Sequence, residues 1–531
     1  MESPPQTRMD NRRSLDETQN SFPAEKGYTN ADAEQLAHLG HDQVLERNFS
    51  LVSAASLCMC LLATWEAVSA VISAALESGG APCLLYNYIL SFLCTIAIAS
   101  SLAEIASIYP TAGGQYYWVA VLSPVSSRRS AAWFTGWISV GGQILLTAAA
   151  ALSGGLQTQA LLIMNDDSYI PKQWQGMLFY WAVVLYAAFV NTVGSKILPH
   201  VNYASGILHV GGFFATCITL GIMAPKNTAS FVFTEFNNRS GWASDGVSWL
   251  VGLLSAVYPF LGYDAACHIS EEIPNPSRNV PLAMVGSVLV NGLTGLVFVV
   301  LLLFSTSSLD ELLESPTGYP FLKIYEDAVG SPLGGAMLAL APILIAYTAA
   351  IAGTTSISRT LWAFARDKAT PCHEYLGKVS DRAAVPVRCI FVTTTLQLLL
   401  GLLYLGNTTA FNAVLSMATI GMYLSYLLPI IYMLIYGRRK SRLTTYGFFK
   451  LGKTLGVILN VISIIWIIVV VIFSTFPTFM PVSAETANYS PAVMVVWLLF
   501  GGVYYFFYGR HKFDVPVVED INMGITIIPH A

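Results

Sequence analysis

The stretch YPFLGYDAACHISEEIPNPSRNVP, Tyr258 to Pro281, begins inside a long apolar run and ends in a bend dense with charge and proline. Its first half cannot stay a continuous helix cheaply. Pro259 and Gly262 in mid-segment cost roughly 3 and 1 kcal/mol against alanine and so favour local unwinding. In the second half Pro274 and Pro276 stop a helix and Pro281 opens the next. The charges on this bend, Glu271, Glu272 and Arg278, admit two readings. They are a solvated turn at a membrane boundary, or they pair with neighbouring loops and part when that side opens, as a latch whose partners change between states.

The membrane itself follows from composition. Of 531 residues, 54% are hydrophobic and 11% charged, less than half the charged share usual in soluble domains. Twelve apolar segments can be placed, at 51–77, 83–108, 131–163, 174–192, 202–224, 248–270, 281–305, 334–364, 387–405, 409–436, 453–476 and 491–509, numbered 1 to 12 below. Each is long enough for the ~20 residues that a membrane helix needs. Residues 1–50 read as a disordered polar tail without a signal-peptide pattern, so segment 1 is expected to target the chain, and residues 510–531 read as a second tail. With both tails in the cytosol, all but four of the 27 basic residues (Lys172, Lys226, Arg239 and Lys323) fall on the cytosolic side, as retention of Lys and Arg requires. The bend at Glu271 is then cytosolic.

A net charge of −4 with no basic, aromatic-interleaved patch offers nothing to a nucleic acid. The eight cysteines have no metal-type spacing, and no disulfide is expected. No nucleophile with a base, metal set or phosphate loop stands outside the apolar segments, so neither enzymatic activity nor a cofactor is expected. Glycosylation triplets at Asn238, Asn407 and Asn488 all fall in expected outer loops; Asn407 lies too near the membrane to be used.

Two further stretches bear on the bend. SLAEIASIYPTAGGQYYWVA, Ser101 to Ala120, carries Glu104 near the cytosolic end of segment 2, then Pro110 and a glycine pair. It reads as a helix end with an interfacial aromatic belt or as part of a gate. SRTLWAFARDKATP, from Ser358, sets Arg359, Arg366 and Asp367 at the cytosolic end of segment 8. Taken together, the three stretches closely resemble the amino acid/polyamine/organocation permease superfamily, and within it the fungal permeases for choline, GABA and other amino acids. The resemblance runs from about 47 to 512.

It implies an all-α leucine-transporter-type fold. Residues 51–224 and 248–436 would form two inverted repeats, with segments 11 and 12 (453–509) peripheral. Segments 1 and 6 would be broken at the midplane, where free backbone groups hold the solute. It also implies that Glu104, Glu271, Glu272, Arg278, Arg359, Arg366 and Asp367 form a cytosolic gate. Around the break in segment 6, Tyr258, Phe260, Gly262 and Tyr263 are candidate walls for a solute ammonium. Asp264 is either its counter-charge or the cap of the second half-helix; His268 reads as structural.

Segment 1 departs from the family. LLATWEAVSAVIS replaces the usual glycine-bearing break whose amides hold a substrate carboxylate, and no glycine occurs between Leu51 and Glu77. Instead Trp65 and Glu66 stand near mid-membrane, a pairing suited to an organic cation, unless a serine or carbonyl neutralises Glu66 at a helix contact. In GSKILPHVNYASGILH, Gly194 to His209, the family register places His209 where bacterial relatives carry a membrane lysine linked to proton coupling. Histidine titrates nearest neutral pH, though a lone membrane histidine can equally be a packing residue. The expectation is a plasma-membrane secondary transporter, in contact with lipid, that moves a small amine or amino acid with a proton by alternating access. Export or vacuolar exchange, and a non-transporting nutrient sensor, stay open as alternatives.

Overall fold

The structure, a computed structural model, describes residues 30–194, 196–406, 410–438, 447–483 and 486–515, and among these every regular element is a helix. Among the described residues eleven helices are long and apolar enough to cross a membrane, which makes this a multi-pass membrane protein. The first, Leu51–Ile108, has 58 residues; a straight helix of that length would be about 90 Å, roughly three times the hydrocarbon thickness. It is broken twice, at Ala63 (φ 43, ψ 47) and at Gly80 (φ 73, ψ −160) just before Pro82. The Gly80 break separates segment 1 from segment 2.

The centre of the bundle is Arg128–Asn165, whose most apolar window is entirely buried. It packs against Gln173–Val193, Pro332–Arg366 and Ala410–Tyr432. A Cβ on Gly142 would lie 2.8 Å from the Gly421 carbonyl carbon, so these helices meet backbone to backbone, the close approach that small residues permit in membranes. Lys453–Phe473 and Ser490–Tyr504 lie at the periphery. They and the turn that follows turn Ile465, Leu499, Phe506 and Phe507 outward, an apolar surface of the kind that a membrane or a protein partner covers.

Segment 6 is not one helix. It runs Asp245–Val251, Leu254–Val257 and a tight turn Tyr258–Phe260, then unwinds and resumes at Ala265–His268 and Ser270–Glu272. Gly262 holds φ +102, and a Cβ there would sit 2.6 Å from Leu61 Cγ, so the break needs glycine both for its backbone and for its neighbour. Segment 1 breaks beside it without a glycine. Left-handed Ala63 costs about 1–2 kcal/mol, offset by contacts across the two breaks. The Thr64 amide donates to Asn291 Oδ1 at 3.1 Å, and its hydroxyl donates to the Pro259 carbonyl at 2.9 Å.

Residues 30–50 correct the expectation of a disordered tail, which otherwise concerns residues outside the described ones. Asn30–His38 is helical, and Leu36, Leu39, Leu45 and Phe49 are buried. Apolar side chains at that spacing dock the segment across the end of the bundle that carries Glu271. Polar composition masked them.

Candidate functional site

The two breaks enclose a cavity of about 30 Å³ lined by Leu61, Ala63, Glu66, Ser153, Gln157 and Tyr258, among others. That volume holds a water or two, so a solute fits only when the walls part. Glu66 is the acidic residue of the lining and lies in the first turn of the half-helix that starts at Thr64. His209, from Leu198–Met223, places Nδ1 2.7 Å from Glu66 Oε1, within hydrogen-bond distance. Both are almost wholly buried (3% and 1% exposed). Two titratable groups that share one hydrogen bond out of water can hold a proton or release it only together with a change of charge at the site. Among the described residues Glu66 Oε2 and Gln157 Oε1 have no hydrogen-bond partner, an arrangement that costs energy unless a donor arrives.

Of the residues expected at the solute, Glu66 and Tyr258 line the cavity and the others do not. Trp65 packs behind the Glu66–His209 pair, with ring centroids 5.3 Å from Phe298 and 6.3 Å from His209. Phe260 lies against Tyr88 and Phe92, and Tyr263 against Tyr426. The carbonyls of Pro259 and Tyr263, expected to be open to a solute, instead accept from Thr64 Oγ1 and Cys58 Sγ of segment 1.

Asp264 is consumed by protein partners. Gln115 Nε2 donates to its Oδ2 at 2.6 Å and the Tyr426 hydroxyl to Oδ1 at 2.7 Å; its side chain does not cap the half-helix. His268 lies beside it, with Nδ1 3.2 Å from the Ala112 carbonyl and Nε2 3.0 Å from Gln143 Nε2. Nε2 also lies 3.3 Å from Asp264 Oδ2, so the ring joins the carboxylate to the same network. Gln143 Oε1 in turn accepts from Ser356 and Thr360. This network ties the second half of segment 6 to four other elements, a structural role for His268.

Beyond it stands a double ion pair. Glu272 meets Arg359 (Nε to Oε1 2.8 Å), both fully buried, and Glu271 meets Arg366 through two bonds of 3.1 and 3.2 Å. Burial pushes the Glu271 carboxyl up, but the Arg366 guanidinium, together with His41 and the Ala112 amide, outweighs it, and its pKa ends below the usual range. Asp367 accepts from Tyr116 at 2.9 Å, and burial drives its carboxyl up to about 7. Glu104 pairs with Arg438 at 2.6 Å and accepts from the Leu451 amide. Arg278 stands apart from these pairs. It is exposed, its guanidinium lies 5.1 Å from the Phe448 ring centre, and no carboxylate of the described residues pairs with it, because the bend turns it away from the bundle.

The N-terminal segment clasps this bend. The Phe49 amide donates to the Glu272 carbonyl, Gln43 Nε2 to the Glu271 carbonyl, Arg47 to that of Ile273, and the Asn275 amide to Asp32. Sequence reasoning missed all of these, together with Arg438, Gln115, Gln143 and Gln157. The glutamine in GGQYYW was the one visible signal, an uncharged polar group inside an otherwise aromatic motif.

The expected glycan sites are not free. Asn238 Nδ2 donates to the Trp242 carbonyl and Asp245, and Asn488 Nδ2 donates to the carbonyls of Ser474 and Phe476. A glycan would displace those bonds. Asn407 lies outside the described residues.

Known proteins share this plan along nearly the whole chain. The family profile described as "Amino acid permease" matches residues 49–500. The "Choline transporter" of Saccharomyces cerevisiae is 32% identical over 473 residues, 88% of this chain and 83% of its own length. "Amino-acid permease BAT1" of Arabidopsis thaliana is 27% identical (91% and 95%), and "Amino-acid permease 2" of Neurospora crassa 26% (92% and 90%). With a helical bundle, two facing breaks and the paired charges beyond them in place, the chain belongs to the amino acid permease family of the amino acid/polyamine/organocation superfamily and is a membrane transporter, not an enzyme.

Proposed function

We propose that the protein takes up a small organic amine across the plasma membrane, coupled to a proton, by alternating access of twelve helices arranged as two inverted repeats. The observation that carries this reading is the buried Glu66–His209 pair on the wall of the cavity between the two breaks. The end with Glu271 faces the cytosol, in accord with the placement of basic residues. A choline transporter among the relatives supports a cationic solute.

In this reading the solute ammonium binds at Glu66 Oε2 while His209 carries the proton against Oε1. The charge of Glu66 is then matched by the protonated histidine, and the solute adds one positive charge, which an inside-negative potential drives inward by about 2.3 kcal/mol per 100 mV. Release requires the Glu271–Arg366 and Glu272–Arg359 pairs to part and the N-terminal segment to lift from the bend.

The test is uptake of labelled choline, ethanolamine, diamines, GABA and neutral and basic amino acids in transporter-deficient yeast at two external pH values. Uptake of an amine that rises at low external pH is expected. No uptake of any compound by surface-localised protein would point instead to export or to a sensor.

A further inference from the structure

A half-helix that starts in mid-membrane exposes the amides of its first turn and offers an anion site. Here that place is already taken. The Glu66 carboxylate lies in the first turn of the half-helix after Ala63, beside its own backbone N–H. No Lys, Arg or His lines the cavity, so a solute carboxylate would meet one carboxylate and no cation. Across the cavity stands Gln157, 2% exposed, whose Nε2 donates to Ser153 Oγ at 2.7 Å and whose Oε1 has no partner among the described residues. Two buried oxygens without a partner among the other described residues therefore share the cavity, one on a carboxyl and one on an amide.

We propose that Glu66 stands where a solute carboxylate would bind, and that Gln157 Oε1 reads a hydrogen-bond donor at the solute's other end. The solute class is thus a carboxylate-free organic amine bearing a hydroxyl or a second amino group. This inference rests on the transport reading above and narrows it. A site built to accept a hydrogen bond rejects an analogue that lacks the donor, because its own buried oxygen is left unpaired.

The experiment is competition binding on the purified full chain in nanodiscs with labelled choline, using matched pairs. Tetramethylammonium removes the donor from choline, GABA replaces one terminal aminomethyl group of 1,4-diaminobutane by a carboxylate, and glycine does the same to the hydroxymethyl end of ethanolamine. Choline, ethanolamine and the diamine should compete, with glycine and GABA about a hundredfold weaker and tetramethylammonium about tenfold weaker than choline. Gln157→Leu should bring the choline to tetramethylammonium ratio close to one, whereas Gln157→Glu, which can only accept, should keep it. Glu66→Ala should invert the carboxylate preference by vacating the half-helix end. Glycine or GABA matching its amine counterpart in the native chain would overturn the inference and leave the transport reading standing. So would a Gln157→Leu variant that loses choline and tetramethylammonium alike. Failure of every compound to bind a folded chain would overturn both.

Discussion

Glu272→Gln removes the charge from the most deeply buried pair of the gate. Glu272 and Arg359 are both 0% exposed, and among the described residues Arg359 retains only Ser358 as a further side-chain hydrogen-bond partner, at 3.1 Å. Removing one member of a buried pair costs about 3–5 kcal/mol, since the other is left charged and unsolvated. That cost falls on the closed arrangement, because opening lets water reach Arg359. At a factor of ten per 1.4 kcal/mol, the closed-to-open ratio should drop at least a hundredfold. Two native thiols report it. Cys58 and Cys267 are 0% and 1% exposed and lie between the ion pairs and the cavity, while Cys372 is exposed already and serves as a control. In inside-out vesicles a maleimide should label Cys58 and Cys267 at least tenfold faster in the variant, with Cys372 unchanged. Solute flux should fall sharply while solute affinity changes little. The double variant Glu272→Gln/Arg359→Gln should recover part of the closed population, as removing both charges leaves no unpaired ion. Unchanged labelling together with near-normal flux would refute the gate.

Other outcomes follow from single contacts. Gly262→Ala places a Cβ 2.6 Å from Leu61 Cγ at a φ of +102 and should cost about 1–3 kcal/mol, read as a lower melting temperature in detergent and loss of uptake. Burial lowers the His41 pKa from 6.5 to about 4, with Arg366 adding to the effect, in a segment that sits on Tyr117 and near Glu271. A depressed pKa means that the docked segment gains stability above pH 6.5 and loses it as pH falls toward 4, by about 1.4 kcal/mol per unit in between. Limited proteolysis of residues 30–49 should therefore speed up several-fold from pH 7.5 to 5.5, and His41→Phe should abolish that dependence. Glu104→Gln leaves Arg438 with only uncharged partners and should lower thermal stability by several degrees, with smaller effect on solute affinity than Glu66→Gln.

The ion pairs proposed as a gate were legible as charged residues because they cluster in short motifs at helix ends, where apolar surroundings make every charge conspicuous. Glu271, Glu272, Arg359 and Arg366 could be named from that contrast, but which carboxylate meets which guanidinium depends on the rotation of Pro332–Arg366 about its axis. Arg278 shows the limit, since one bend turns a neighbouring charge outward. The break in segment 6 was written in Pro259 and Gly262. The break in segment 1 was not, because left-handed Ala63 is held by Asn291 and Pro259, partners more than 190 residues away. Glu66 and His209 were each singled out as lone ionisable groups in apolar segments, whereas their pairing is tertiary. Gln157 carried no signal, as an uncharged amide in a helix is indistinguishable from a packing contact. Residues 30–50 were missed because four buried apolar side chains were diluted in polar sequence.

The central claim is that Glu66 and His209 carry an amine and a proton together across this membrane. It is tested most directly in proteoliposomes of the purified chain with an imposed pH gradient, acid outside, and labelled amine as the solute, comparing the native chain with Glu66→Gln and His209→Gln. The account predicts gradient-driven accumulation by the native chain, downhill flux without accumulation for His209→Gln, and no flux of the cation for Glu66→Gln. Undiminished accumulation in both variants would contradict it.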